Sequence, residues 1–295
     1  MASPSKTTKP LTWLITGCSS GFGLQLTRHA LAAGHHVIAT SRTPSKTPDL
    51  AREVESAGGR WLSLDVTSPR SADLITALEK DGTHVDVLVN SAGVARAGPA
   101  EAFSEDEIRE LMEINFFGPY RLMRAVVPFM RARRSGVIVN LSSGSGLGAR
   151  ESLGAYGASK SALDNMTTTL AKEVAGFGVR VLLVYLGSFN TAMASHTNLV
   201  AKPLDPDYDG TVLQKFYDVF KAGNMPLKGD HVKAARAIYE VVVGEGVGAG
   251  HEKEVRMVLG KDCAVRVGEV QDSMKHMMDV FGDICHNVDV DEDEA

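Results

Sequence analysis

Tyr156 and Lys160 stand four apart in Tyr156-Gly157-Ala158-Ser159-Lys160, so on a helix they share a face. A free phenol has a pKa of about 10 and exchanges protons poorly at neutral pH. An ammonium beside it favours the phenolate and brings the group toward a working range. Ser142-Ser143 follow a β-rich run at 137–141. A hydroxyl at such a strand end can hold a substrate oxygen beside the phenol. The chemistry these residues suit is proton transfer at an oxygen carried on carbon. Taken singly, each has an ordinary structural use: Ser143 as a cap, Tyr156 as core, Asn115 as a partner for buried backbone.

A second constellation lies near the start. Thr16-Gly17-Cys18-Ser19-Ser20-Gly21-Phe22-Gly23 ends an apolar run and leads into a helical pattern. Gly17 permits a sharp turn, and Gly21 and Gly23 let backbone approach phosphate and strand closely. The helix N-terminus offers free amides and a positive dipole end to a pyrophosphate. The next apolar run ends in Ser41-Arg42. A carboxylate there would accept from both ribose hydroxyls of a dinucleotide and repel a 2′-phosphate. Arg42 instead can fork onto that phosphate, and Ser41 can add a hydroxyl. The expected cofactor is NADP(H), and an oxidised nicotinamide would further favour the Tyr156 phenolate.

These residues need elements to hold them. Short β-rich runs at 11–16, 36–40, 61–65, 85–90, 137–141, 179–185 and 255–259 alternate with helical patterns. Leu24, Ala30 and Leu31 share one face of the first helix. Ser104 and Glu107 form a capping-box pair ahead of Ile108, Leu111, Met112 and Asn115. Leu163, Met166, Leu170 and Val174 stripe the helix that follows Lys160. Such alternation requires a parallel sheet, because parallel neighbours need crossovers and the helices cover both faces. The 44% apolar and 23% charged content of the 295 residues excludes disorder or a coiled coil as the main architecture.

Together the motifs resemble the short-chain dehydrogenase/reductase family over roughly residues 11–260. TGCSSGFG is similar to the family's TGxxxGxG, and implies a cofactor cradle of Gly17, Ser19, Gly21, Phe22 and Gly23. Asp65-Val66 resembles its adenine-contacting pair. Asn90-Ser91-Ala92-Gly93 is similar to NNAG, with Ser91 for the second asparagine. Ser143 precedes Tyr156 by the family's spacing, and Asn115 matches the family's helix asparagine. Leu186-Gly187 replaces a Pro-Gly, and Thr191 lies where a threonine meets the nicotinamide amide, with Phe189 in the same cofactor set. The implied fold is α/β: a single Rossmann-type doubly wound parallel sheet of about seven strands, with helices on both faces. The implied catalytic set is Tyr156 as proton donor and acceptor, Lys160 bonded to the nicotinamide ribose, Ser143 on the carbonyl oxygen, and Asn115 holding a water that links Lys160 to solvent. Arg42 resembles the basic residue of NADP-preferring members.

The implied domain spans residues 11–262 after a disordered 1–10. Residues 188–230 form a substrate lid carrying Phe189, Met193, Leu199 and Val200, with Val212, Phe216, Val219 and Phe220 on one helical face. The lid and residues 255–263 resemble the hydroxysteroid- and retinol-dehydrogenase-like branch, which implies a bulky apolar ketone or aldehyde. A terminal helix over 263–286 carries Val267, Val270, Met274, Met277, Met278 and Phe281, to be laid on the body or on a partner subunit. Family members form homodimers or homotetramers. The tail at 287–295 is acidic; without its five acids the 31 basic residues face 31 acidic ones. A balanced body argues against nucleic acid as a partner. Three cysteines form no closed disulfide set, and His276, Cys285 and His286 match no metal-ligand spacing. The apolar runs are too short to span a membrane and the first ten residues lack a signal sequence, so the expected compartment is cytoplasmic. An NADPH-dependent carbonyl reductase leads; a non-redox NADP-binding sensor or scaffold, and an isomerase or cyclase on the same scaffold, are the alternatives.

Overall fold

In the computed structural model, which describes residues 9–191, 198–223, 225 and 227–289, the apolar runs become seven strands. They are β1 (Thr12–Ile15), β2 (His36–Ser41), β3 (Arg60–Ser63), β4 (Val87–Asn90), β5 (Gly136–Ser143), β6 (Val179–Leu186) and β7 (Arg256–Leu259). Residues 1–8 of the expected disordered start, Met193 of the lid and 290–295 of the acidic tail lie outside the described residues.

The strands pair in parallel in the order β3-β2-β1-β4-β5-β6-β7. The crossover helices are α1 (Gly21–Ala32), α2 (Pro48–Ser56), α3 (Asp73–Lys80), α4 (Glu105–Met112), α5 (Gly118–Arg133) and α6 (Gly154–Val174). The chain runs outward from β1 through β3, then returns to place β4 on β1's other side. That reversal opens a crevice at the carboxyl ends of β1 and β4, the usual ligand position in such sheets.

Side-chain alternation builds a core on each face. Trp13 and Ile15 of β1, Val87 and Val89 of β4, and Val137 and Val139 of β5 pack toward α1. Leu14, Leu88 and Ile138 point the other way, toward α5 and α6. All nine of these are buried, and each strand contributes to both cores.

The expected helix through Asn115 is interrupted. The Ser104–Glu107 capping box starts α4 as expected, but Glu113–Phe117 is a π turn before α5. Pro119 carries no N–H, so Asn115's carbonyl loses its α-helical donor. Gly118 meanwhile packs so tightly that a Cβ would meet Val66 Cβ at 2.9 Å.

The described residues of the lid segment pack on the body. Its ends are joined where Asn190 N donates to Gly229 O (2.9 Å) and Gly229 N to Ser188 O (3.1 Å). Its helix α7 (Val212–Lys221) buries Tyr217 and Phe220 rather than the whole expected face. Val212, the first residue of the helix, is 55% exposed. After α8 (His231–Val243), the terminal helix α9 (Lys261–Cys285) starts two residues earlier than expected. Only Cys263 of α9 is buried.

Candidate active site

The glycine turn is shaped by close backbone approach. Gly17 has φ +71°, and a Cβ there would lie 2.8 Å from the Ala92 backbone. A Cβ on Gly23 would lie 2.6 Å from Gly17 O. Thr16 Oγ1 accepts from Ser91 N and Ala92 N, both at 3.0 Å, which ties the ends of β1 and β4 together. Ser91 enters this tie through its backbone, so the change from asparagine leaves it intact. No side chain caps the N-terminus of α1 and no acid occupies its first turn, so its amides are open to an anion. Cys18 in the same turn is a packing residue: burial pushes its thiol up to about 11.

Beside this turn, β2 ends with Ser41, and Arg42 follows it. Ser41 Oγ accepts from Trp61 Nε1 at 3.0 Å, and its own proton remains available. Arg42 is exposed and its guanidinium has no partner among the described residues. Asp65 Oδ1 accepts from Thr67 N (3.0 Å) and Thr67 Oγ1 (2.7 Å), which shapes the turn after β3. The observed features, two glycines whose Cβ would fill the cradle and an unpaired cation where a carboxylate could have stood, fit a phosphorylated dinucleotide.

Ser143, Tyr156 and Lys160 border the same cavity, which measures about 610 Å³. Ser143 is the last residue of β5; its Oγ accepts from Ser145 N at 3.1 Å. Tyr156 and Lys160 are buried on one face of α6. Lys160 Nζ donates to Leu141 O at 2.9 Å. Burial pushes the Tyr156 phenol above its ordinary value, and a hydrogen bond with Ser143 only partly offsets this. The expected depression by Lys160 is therefore absent, because that ammonium is turned onto the Leu141 carbonyl and the phenol is deeply desolvated. Burial also lowers Lys160 to about 8, against the pull of Asp164.

Every expected cofactor residue lines the cavity except Gly23 and Asn90. Gly23 is needed for the approach to Gly17. Asn90 is turned into the sheet, where its Nδ2 donates to Asn140 Oδ1 at 2.8 Å. Asn115 also stays outside the cavity lining. Its Oδ1 accepts from Val94 N (3.0 Å), and its Nδ2 donates to Val94 O (2.9 Å) and Ser159 Oγ (3.0 Å). Both amide protons are spent, so its side chain fastens the segment after β4 to α6; a water would have to use its carbonyl, which Pro119 leaves short of an α-helical donor.

Phe220 of the expected lid face lines the cavity and packs in one cluster with Tyr156. Other lining residues had not been expected: Leu153 and Leu227 complete an apolar wall with it. Arg150, Asp262 and Arg266 line it as well. Asp262 Oδ2 accepts from Ser188 N at 2.8 Å, and its carboxylate stands where any Cβ on Gly187 would go. No local periodicity marks Arg150, Asp262 and Arg266, since they arrive from a loop and from α9.

The chain matches the family model described as short chain dehydrogenase over residues 12–200. It is 42% identical over 185 residues to oxidoreductase claN of Passalora fulva, covering 62% of this chain and 84% of that protein. It is 36% identical over 221 residues to retinol dehydrogenase 8 of Homo sapiens, covering 72% and 70%. A solved short-chain dehydrogenase from Streptomyces avermitilis superposes with a TM-score of 0.83 at 34% identity, over 95% of this chain and 100% of that one.

Proposed function

The chain belongs to the short-chain dehydrogenase family, and from that premise we propose an NADPH-dependent oxidoreductase that reduces a ketone or aldehyde on a largely apolar small molecule to the alcohol, reversibly. One observation carries the reading: Ser143, Tyr156 and Lys160 border the same cavity as the glycine turn and the unpaired Arg42.

The α1 amides and the Gly17–Gly21 turn hold the pyrophosphate, Ser41 and Arg42 the 2′-phosphate, and Asp65-Val66 the adenine. Ala92 and Gly93 complete the floor, and Gly187, Phe189 and Thr191 hold the nicotinamide end. When bound, the dinucleotide supplies the hydride. Ser143's hydroxyl holds the carbonyl oxygen, and Tyr156 gives that oxygen its proton. The phenol carries its proton at neutral pH, the form this direction requires, and its raised pKa keeps it protonated at the cost of acid strength. Lys160 uses one donor on Leu141 O and has two left for the nicotinamide ribose. Leu153, Phe220 and Leu227 face the apolar part of the substrate.

The reading includes self-association as a homodimer or homotetramer and a cytoplasmic setting. Met274, Met277, Phe281 and Ile284 alternate at three and four along α9, exposed by 57%, 47%, 56% and 61%. Glu269, Asp272, Lys275, Asp279 and Asp283 all fall on the remaining heptad positions, the pattern of a helix that seams to a like helix. No helix among the described residues is long and apolar enough to cross a membrane.

The deciding experiment is NADPH oxidation with a panel of apolar ketones and aldehydes. Turnover supports the reading; no consumption of NADPH with any of them rejects it.

A further inference from the structure

We propose that Arg150 and Arg266 form a counter-ion subsite at the substrate end of the cavity, and that the carbonyl compound reduced there carries a carboxylate or similar anionic group on its apolar body. The proposal rests on the reductase reading and adds the substrate's charge to it.

Arg150 lies in the turn between β5 and α6 and lines the cavity with Ser143, Leu153 and Tyr156. It is half-buried. Its charged neighbours are Arg266, Asp262, Glu151 and Glu269, and none is hydrogen-bonded to it. The guanidinium sits over the Phe216 ring of α7, 5.4 Å from the centroid. That contact fixes the plane of the group, while its five N–H donors go without a partner among the described residues.

Arg266 comes from α9 and lines the same cavity. Its Nη1 donates to Ala149 O at 3.2 Å, which anchors it to the residue before Arg150. Two like charges therefore share one wall. Burial, and then Arg266, disfavour the Arg150 charge more than the three acids support it. Asp262, which lines the cavity beside Arg266, already accepts from Ser188 N. An unpaired, half-buried guanidinium is an unfavourable arrangement in the free protein. An anionic ligand removes that cost and gains charge-assisted, bidentate hydrogen bonds.

The cofactor phosphates have their own partners in this reading, the α1 amides after β1 and Arg42 just after β2. Arg150 and Arg266 belong instead to the wall shared with the phenol and with Leu153, Phe220 and Leu227. The ligand that satisfies this wall is amphipathic, with an apolar middle and an anionic end.

The test is titration calorimetry of the NADPH-loaded protein with naphthoate and with naphthamide, its neutral isostere. The expected result is at least about tenfold tighter binding of naphthoate, weakening as salt rises. Arg150→Gln should abolish the preference without changing NADPH affinity, and Arg150→Lys should keep part of it. Equal binding of the two probes to the wild type, or an undiminished preference in both Arg150→Gln and Arg266→Gln, overturns the subsite. A separate arm measures reduction of para-formylbenzoate and its methyl ester. Failure of both aldehydes would count against the reductase reading, while the calorimetry would still decide the subsite.

Discussion

Asp164 lies one helical turn beyond Lys160 on α6, and the same glycine walls in both: a Cβ on Gly146 would come within 2.6 Å of Asp164 Oδ2 and 2.9 Å of Lys160 Cβ. Neither carboxylate oxygen of Asp164 has a hydrogen-bond partner among the described residues. Burial pushes this acid up to about 6, partly offset by Ser142 and Lys160. It in turn holds Lys160 up against burial. The Asp164 charge also pushes the Tyr156 phenol up, after burial.

Asp164→Asn should therefore move the alkaline limb of kcat/KM to lower pH. Lys160 loses the carboxylate that raises its pKa, so its ammonium is lost sooner as pH rises. A pH–rate profile with NADPH checks this; an unmoved limb means that Asp164 does not govern Lys160. The same variant has a stability signature. Asp164's folded pKa, about 6, lies above its ordinary 3.8, so the folded state binds the proton more tightly and the wild type loses stability as pH rises through that window. The melting temperature of Asp164→Asn relative to wild type should rise from pH ~4 to ~6.

Tyr156→Phe should keep the fold and NADPH binding, because the ring packs with Leu153 and Phe220 and only the hydroxyl is removed. Turnover should fall by about 10²- to 10⁴-fold, the usual contribution of a general acid. Steady-state rates alongside cofactor titration measure both. Near-normal turnover would remove Tyr156 from the acid–base role.

Arg42→Ala should weaken NADPH by about 10- to 100-fold, the worth of a charged hydrogen-bond pair, and leave NADH nearly unchanged. Binding of the two reduced cofactors, followed by their fluorescence, makes the comparison. Equal losses would mean that Arg42 does not read the 2′-phosphate.

Gly23→Ala should lower both the melting temperature and cofactor affinity, although alanine is ordinarily the better helix former by about 1 kcal/mol. The reason is the 2.6 Å approach of its Cβ to Gly17 O, a backbone atom that cannot swing aside. Gly282→Ala in α9 meets nothing within 4 Å and should be neutral or stabilising.

Met274→Glu combined with Phe281→Glu should reduce the sedimenting mass of the protein by one association step, while Asp279→Lys on the opposite side of α9 should not. Analytical ultracentrifugation distinguishes the two outcomes. Unchanged sedimentation of the double variant would free α9 from any part in self-association.

Much of the fold was legible in the residues because its signals are local. The apolar runs at 11–16 and 85–90, the glycine turn after β1, and the one-turn spacing of Tyr156 and Lys160 each lie within a single element or junction. Boundaries were less legible: β5 runs on through Ser142 and Ser143, because those residues continue to pair with Tyr185 and Leu186 of β6. The π turn at Asn115 had a local sign in Pro119, but the reason for it includes the approach of Gly118 to Val66 from another segment.

By itself the sequence determined the parallel α/β alternation, the glycine turn after β1, the cation just beyond β2 and the shared face of phenol and ammonium. Tertiary structure alone decided that Asn90 would bond Asn140 within the sheet, that Asn115 would spend its amide on Val94 and Ser159, that Lys160 would rest on Leu141 O, and that Arg150 would meet Arg266. The physical reason is range. Strand and helix periodicities act between neighbours along the chain, whereas a buried polar group takes whichever partner the packing of distant elements brings within hydrogen-bond reach.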